Sequence, residues 1–489
     1  MRKTGILLPI FSLPSDYGIG DFGKGAYLFA DFLKESGQSF WQILPLCPTT
    51  VGDSPYQSPS AYGGNPYFIS IDMLKEEGLL KDDEICCIEN HKKVDYSHLY
   101  NTRYKILKTA FQRFKKDKDY EDFYEKNKFW LYDHSLFFAI KKHFNNLPFN
   151  LWNDGIKRRV SHDMKHFSEE FSEDVEFHNF LQFKFYQQWY ALKSYVNGKG
   201  IKIIGDMPIY VSYDSSDVWK NPDLFCLDDD LVPKNIAGCP PDGFSEDGQL
   251  WGNPLYDWKA HEAENFRWWK SRIDYNLSLF DIVRIDHFRG FDSFYAIPYG
   301  EETAKFGEWE KGPGIKLFES LNVEKEKIIA EDLGFITPSV KKLLEDTDYS
   351  GIKVLQFGFD ERDDGDGSEH LPHNYSKNCI AYTGTHDNQT LSGWISSVSK
   401  KEIENVREYL CDEFTPREKL TMPLISEVLK SNARITIIPV QDYMELSDEA
   451  RINTPGNAVG NWNFRLRLDE LSDELSEKIK KMTQIYGRI

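Results

Sequence analysis

The chain has no apolar run approaching the ~20 residues that a membrane-spanning helix requires, so no transmembrane segment is expected. It has no excess of positive charge. Its 59 Lys and Arg face 78 Asp and Glu, giving a formal net charge of −19. Binding to a phosphate backbone needs a basic surface, so nucleic acid is excluded as the main partner. Cysteine spacing is uninformative in a useful way. The seven Cys, at positions 47, 86, 87, 226, 239, 379 and 411, are scattered and odd in number, with no Cys-x-x-Cys and no Cys/His metal pattern. Reduced thiols in a cytoplasmic enzyme are expected. No Gly-x-Ser-x-Gly elbow occurs, which argues against a Ser/His/Asp hydrolase. Internal repeats, low-complexity tracts and flexible linkers are absent as well. The opening MRKTGILLPIFSLP has a signal peptide as its rival reading, but Pro9, Pro14 and Asp16 favour a strand and loop, and no small-residue cleavage site follows.

What is present is a large stock of core material: 40% hydrophobic residues and 15% aromatics, with 12 Trp. Most of the aromatics are expected in the core, and some can stack on the apolar C–H faces of sugar rings. Eight strand-like runs stand out: 5–11, 40–46, 201–209, 280–286, 327–333, 352–359, 379–385 and 434–440. Several are nearly continuous apolar stretches, the mark of parallel strands covered on both faces. Helical patterns lie between them. Residues 26–36 end at Gly37, 175–198 end at Gly198, and 338–347 start with Thr337 as N-cap and Pro338 at the first helical position. Residues 401–414 and 474–487 fit the same pattern. Alternating strands and helices predict an α/β fold, a (β/α)₈ TIM barrel forming a single catalytic domain over 1–489. An open doubly wound sheet is the runner-up, disfavoured because no glycine-rich turn follows the first strand. Two insertions interrupt the repeat. Residues 50–170 read as mostly helical, from the patterns at 102–116 and 125–144, and 211–275 read as loops rich in Pro, Gly, Asp and Trp.

Three acidic segments sit where apolar runs end: IVRIDHFRG around Asp286, IIAEDLG around Glu331 and YTGTHDN around Asp387. Carboxylates delivered by separate strand ends into one space can break a glycosidic bond. Arg284 and Asp286 are two apart on a strand and face the same side, so the guanidinium can hold the carboxylate ionised and oriented for attack on an anomeric carbon. A structural ion pair is the competing reading of RID alone; His287 and Arg289 beside it shift the balance. Glu331 and Asp332 face opposite sides. Glu331, directly after IIA, suits a partly buried acid with a raised pKa, whereas Asp332 is expected to cap the following helix. His386 and Asp387 can orient sugar hydroxyls; the alternative of metal ligands lacks a second cluster of matching spacing. Asp206 ends the third run as another inward candidate. The segments GCPPDGFSEDGQLWGNP (238–254), with Trp251, and GDSPYQSPSAYGGNPY (52–67), with Tyr56 and Tyr62, read as shaped loops with aromatic platforms.

These segments together resemble the 4-α-glucanotransferase family, also called amylomaltase or disproportionating enzyme, glycoside hydrolase family 77. The resemblance runs over nearly the whole chain, through LPIFSLPSDYGIGDFG, WQILPL, GDMPIYV, PPDGFSEDGQLWGNPLYDW, RIDHFRGF, KVLQFGF, YTGTHDNQTLSGW and ARINTPGNAVGNW. It implies a catalytic barrel with inserted subdomains, no cofactor and no metal, and a retaining double displacement, which calls for carboxyls ~5 Å apart. By resemblance Asp286 is the nucleophile, Glu331 the general acid/base and Asp387 the stabiliser of the distorted sugar. Arg284 and His287 support the nucleophile, and Asp206 and His386 hold the same sugar's hydroxyls. Gln249 and Trp251 lie in the loop over the acceptor side, Ser54 and Tyr56 line nearby subsites, and Asn461 is a further candidate. The implied partners are maltooligosaccharides, amylose or glycogen-derived glucans, with glucose as acceptor, and the implied assembly is a monomer or weak homo-oligomer. An amylase-like α-1,4-glucan hydrolase uses the same carboxylates and is the alternative function. A non-catalytic glucan-binding scaffold is disfavoured by the presence of all three. The insertion at 75–170 and the loop 360–378 are the parts that vary within the resemblance.

Overall fold

The computed structural model describes residues 2–50, 52–85, 88, 92–241, 245–360, 367–457 and 459–489. All eight expected runs supply strands of one parallel sheet. They are β1 (Lys3–Leu7), β2 (Phe40–Gln42), β3 (Lys202–Met207), β4 (Ile282–Ile285), β5 (Ile328–Ala330), β6 (Gly351–Val354), β7 (Cys379–Tyr382) and β8 (Ile435–Pro439). The sheet order is β6-β7-β8-β1-β2-β3-β4-β5. A parallel bridge between Ile329 and Ser350, with the Ala330 amide donating to the Ser350 carbonyl at 2.9 Å, joins the last strand to the first. The fold is a TIM barrel. Each strand is shorter than its apolar run, because the chain leaves the ladder at the C-terminal end to form the mouth of the barrel, where polar residues begin.

The flanking helices follow the expected pattern closely. Lys24–Glu35, Lys400–Leu410 and Asp473–Ile485 lie within two to four residues of the predicted bounds. Pro338–Thr347 is capped by the Thr337 hydroxyl, which accepts from the Val340 amide. Between β2 and β3 stand the helices Tyr96–Arg113, Lys118–His143 and Ser172–Gly198. They are held by aromatic contacts such as Phe114 on Phe180, with ring centroids 5.0 Å apart.

The stretch 211–275 differs from the expected loops. It contributes two strands, Asn235–Cys239 and Gln249–Pro254, to a four-stranded antiparallel sheet completed by Ser293–Pro298 and Glu308–Lys311. Their sequences, NIAGC and QLWGNP, contain Gly, Asn and Pro and show no two-residue alternation, and half of their partners lie beyond position 290. Pairing and not propensity makes them strands. Its strand Gln249–Pro254 sets Trp251 against His287, just beyond the end of β4. Gly205, just before Asp206 on β3, is required by packing: a Cβ there would lie 2.1 Å from the Phe280 ring.

Candidate active site

Strand register assembles the site. Asp206 on β3 and Arg284 on β4 are direct partners in the ladder and point the same way. Arg284 Nη1 lies 2.7 Å from both Asp206 oxygens and 3.0 Å from Asp286 Oδ1. Asp286 and Glu331 occupy corresponding positions on adjacent strands, one step beyond the pair Ile285 and Ala330. The ladder continues past them: the Asp286 amide donates to the Met207 carbonyl and the Glu331 amide to the Ile285 carbonyl, each at 3.0 Å. Neighbouring strands run about 4.8 Å apart, so the two carboxylates start from backbones at that spacing.

The turn after β4 is shaped around Glu331. His287 takes a left-handed conformation, φ 49°, uncommon for a residue with a Cβ. This turn aims its amide at Glu331 Oε2, 2.7 Å away, while the Leu333 amide reaches Oε1 at 2.9 Å. Burial lowers the His287 ring to about 3, so it is neutral near pH 7.

The third carboxylate comes from the loop after β7. Asp387 Oδ1 accepts from Asn453 Nδ2 at 2.6 Å and lies 3.3 Å from His386 Nε2. His386 Nε2 also meets the Tyr56 hydroxyl at 2.9 Å, and that hydroxyl is 2.8 Å from Asp206 Oδ2. A phenol has one proton and a carboxylate only accepts, so Tyr56 donates to Asp206 and His386 Nε2 carries the hydrogen. Burial lowers the His386 pKa, in keeping with a neutral ring. Tyr56 and His386 stack at 5.2 Å, and Trp462 leans on both, at 5.7 and 6.0 Å.

Both central carboxyls are shifted upward. For Asp286 burial is the main cause; Arg284 opposes it, and Asp206, Glu331 and Asp387 add to it. For Glu331 burial again leads, opposed by Arg284 and by the two amides. A buried cluster of like charges holds a proton that isolated carboxylates would release.

Asp332 does not cap a helix. It faces away from the mouth and accepts from the Ile352 amide at 2.6 Å, tying β5 to β6 where the barrel closes. Its pKa is raised to about 7, chiefly by burial. A carboxyl raised in the folded state stabilises the fold at low pH and loses that contribution as pH climbs from about 4 through 7. Asp332→Asn keeps the acceptor without the charge. Its melting temperature relative to the unaltered protein is therefore expected to rise steadily between pH 5 and pH 8; a pH-independent difference would refute this.

Gln249 and Trp251 share one face of the strand Gln249–Pro254, with Trp251 Nε1 donating to Gln249 Oε1 at 3.1 Å. The indole meets His287 edge-to-face at 4.8 Å, beside Asp286. Residues 242–244 of the expected covering loop lie outside the described residues, as do 361–366 of the loop at 360–378. Ser54 accepts from the Tyr56 amide at 3.2 Å and so shapes the loop that carries Tyr56. Asn461 is turned into its own loop: its amide side chain bonds the Thr454 amide and the Thr454 and Asn457 carbonyls, and the adjacent Trp462 reaches the site instead.

Four residues escaped the sequence reading: Gln57, Arg451, Asn453 and Trp462. Gln57 Nε2 donates to the Trp251 carbonyl at 2.7 Å and to Asn253 Oδ1 at 3.1 Å, fastening the Tyr56 loop to the Trp251 strand. Arg451 donates to the Asp387 carbonyl at 2.6 Å. Their only signal was membership of motifs already rich in candidates.

Among the described residues no group of three or more His, Cys, Asp or Glu is arranged to hold a metal ion, and no helix is long and apolar enough to cross a membrane. The sequence profile of the 4-α-glucanotransferase family matches residues 8–470. The chain belongs to this family. It is 49% identical over 492 residues to a 4-α-glucanotransferase of Clostridium butyricum, covering 98% of this chain and 99% of that one. It is 45% identical over 492 residues to that of Aquifex aeolicus, covering 100% of both. An amylomaltase from Streptococcus agalactiae, solved in complex with acarbose, superposes with a TM-score of 0.95 at 40% identity over 100% of both chains. As a 4-α-glucanotransferase, the chain is a transglycosidase that transfers glucan segments.

Proposed function

We propose that this 4-α-glucanotransferase moves an α-1,4-glucan segment from a maltodextrin donor to the 4-hydroxyl of glucose or another glucan, by a retaining double displacement. The observation that carries the proposal is the placement of Asp286 and Glu331 at adjacent, in-register strand ends, the close spacing that a covalent route requires. Asp286, ion-paired with Arg284 at 3.0 Å, is the nucleophile. Glu331, held by two amides and raised by burial, is the acid and then the base.

In the first step Glu331 protonates the oxygen of the scissile bond while Asp286 attacks C1. The reducing-end fragment leaves and a glycosyl ester remains on Asp286. In the second step Glu331 removes the proton from an acceptor 4-hydroxyl, which attacks C1 and releases Asp286. Asp387, Asp206 and His386 hold the hydroxyls of the reacting sugar. Maltooligosaccharides, amylose or glycogen-derived glucans serve as donors.

Transfer requires water, at tens of molar, to lose to a bound hydroxyl. An oriented acceptor can reach effective molarities of about 10⁵–10⁸ M. Trp251, packed against His287, is suited to exclude water from the ester. Trp251→Ala is accordingly expected to raise the hydrolysed share of turnover about ten-fold. An unchanged ratio of transfer to hydrolysis would remove Trp251 from this role.

The product profile from maltotriose tests the proposal. Glucose plus a ladder of longer maltodextrins, at constant total reducing ends, is expected. Glucose and maltose with rising reducing ends would make the enzyme a hydrolase on the same scaffold.

A further inference from the structure

Two exposed aromatic residues are linked through Arg289 to the turns that carry Asp286 and Glu331, and the proposed mechanism leaves them unused. Trp309 lies on Glu308–Lys311, the edge strand of the small sheet, and is 44% exposed. Phe335 lies in the loop after β5 and is 47% exposed. Single exposed aromatics are ordinary. These two differ because one buried side chain touches the ring of the first and the backbone of the second. Arg289 is 3% exposed, and its guanidinium carbon sits 3.8 Å from the centre of the Trp309 ring. Its Nη1 donates to the Phe335 carbonyl at 2.5 Å and its Nη2 to Ser293 Oγ at 2.9 Å. Tyr295, opposite Trp309 in the ladder, supports the indole edge-on at 5.1 Å. A cation over one face and an aromatic edge beside it fix a large ring with little remaining freedom, so a ligand stacking on it finds its platform already ordered.

The position of the brace gives the platform its relevance. Arg289 follows Asp286 by three residues, and Phe335 follows Glu331 by four. Phe335 is therefore carried by the turn after the proposed acid, and Trp309, on the neighbouring small sheet, is held through Arg289 against the turn after the proposed nucleophile. Glu331 acts on the oxygen that joins the transferred sugar to its leaving group or acceptor, and Phe335 follows it by four residues on the same loop.

We propose that Trp309 and Phe335, braced by Arg289, form a remote platform for the acceptor side of an α-1,4-glucan chain, stacking on sugar units beyond those next to the reacting bond. This rests on the glucanotransfer reading above. Such a platform takes no part in the chemistry and is reached only by a chain of several units. It sets a preference for long acceptors over glucose.

The test uses the full chain with α-maltosyl fluoride as a fixed donor, and compares transfer to glucose with transfer to maltohexaose. Trp309→Ala and Phe335→Ala are each expected to leave transfer to glucose within about two-fold of the unaltered enzyme and to raise KM for maltohexaose about five-fold, a size typical of a lost ring contact. Equal effects on both acceptors, or no effect on maltohexaose, would overturn the platform. Should Trp309→Ala lower the melting temperature by loosening the edge strand, Phe335→Ala, on a loop, decides alone. A failure of the glucanotransfer reading looks different: the unaltered enzyme would hydrolyse the fluoride with either acceptor present, and the platform would fall with it.

Discussion

Asp286→Asn is expected to lower kcat on maltotriose by about 10⁴-fold or more, with glucan binding retained. An amide neither attacks C1 at a useful rate nor leaves a hydrolysable ester, and no other carboxylate lies in register opposite Glu331 to replace it. The same change is expected to leave the melting temperature unchanged or raised. Asp286 is buried beside Asp206, Glu331 and Asp387, and this crowding of like charge pushes its pKa up along with burial. Removing one charge relieves that cost while Arg284 keeps both oxygens of Asp206. Steady-state kinetics together with thermal melting check both halves. A variant that lost stability in proportion to activity would identify Asp286 as a structural ion-pair partner instead.

The second large effect concerns Glu331. With maltotriose, Glu331→Gln is expected to reduce kcat/KM by about 10³–10⁴-fold, because a sugar alkoxide leaves poorly without a proton. With α-maltosyl fluoride the first step is expected to be nearly unaffected, since fluoride needs no proton to depart. The second step still needs a base, so the glycosyl ester accumulates. The pH profile carries a matching signature. Burial raises the Glu331 pKa, Arg284 and the two amides opposing it. The acid form is present below that value and is lost as pH rises through it, so kcat/KM of the unaltered enzyme falls on the alkaline side, above the ordinary carboxylate range. Glu331→Gln is expected to abolish that limb. Equal losses on both donors would contradict the acid/base role.

The barrel was legible because its strands are buried on both faces and several read as nearly continuous apolar runs, from Gly5–Phe11 to Arg434–Val440. The carboxylate segments were legible because each breaks such a run at its C-terminal end. What stayed hidden depends on contacts between distant segments. Tyr56 and His386 stack although 330 residues separate them, and no local pattern announces that. The small sheet reads as loop in the sequence because Gly238 and Gly252 interrupt its strands, and the partners at 293–298 and 308–311 follow much later. Asp332 precedes a helix, and position alone suggests a cap. Thr337 already fills that position, and β6 lies close enough for the Ile352 amide to claim the carboxylate. Asn461, a sugar-binding candidate by resemblance, bonds the backbone of its own loop.

The measurement that bears most directly on the central claim is a mass analysis of the Glu331→Gln enzyme after reaction with α-maltosyl fluoride, first intact and then as peptides. The account predicts a single maltosyl adduct, carried by the peptide that contains Asp286 and released by added azide as a glycosyl azide of retained α configuration. An adduct on Asp387 or Asp206, or turnover without any adduct and with inverted configuration, would contradict it.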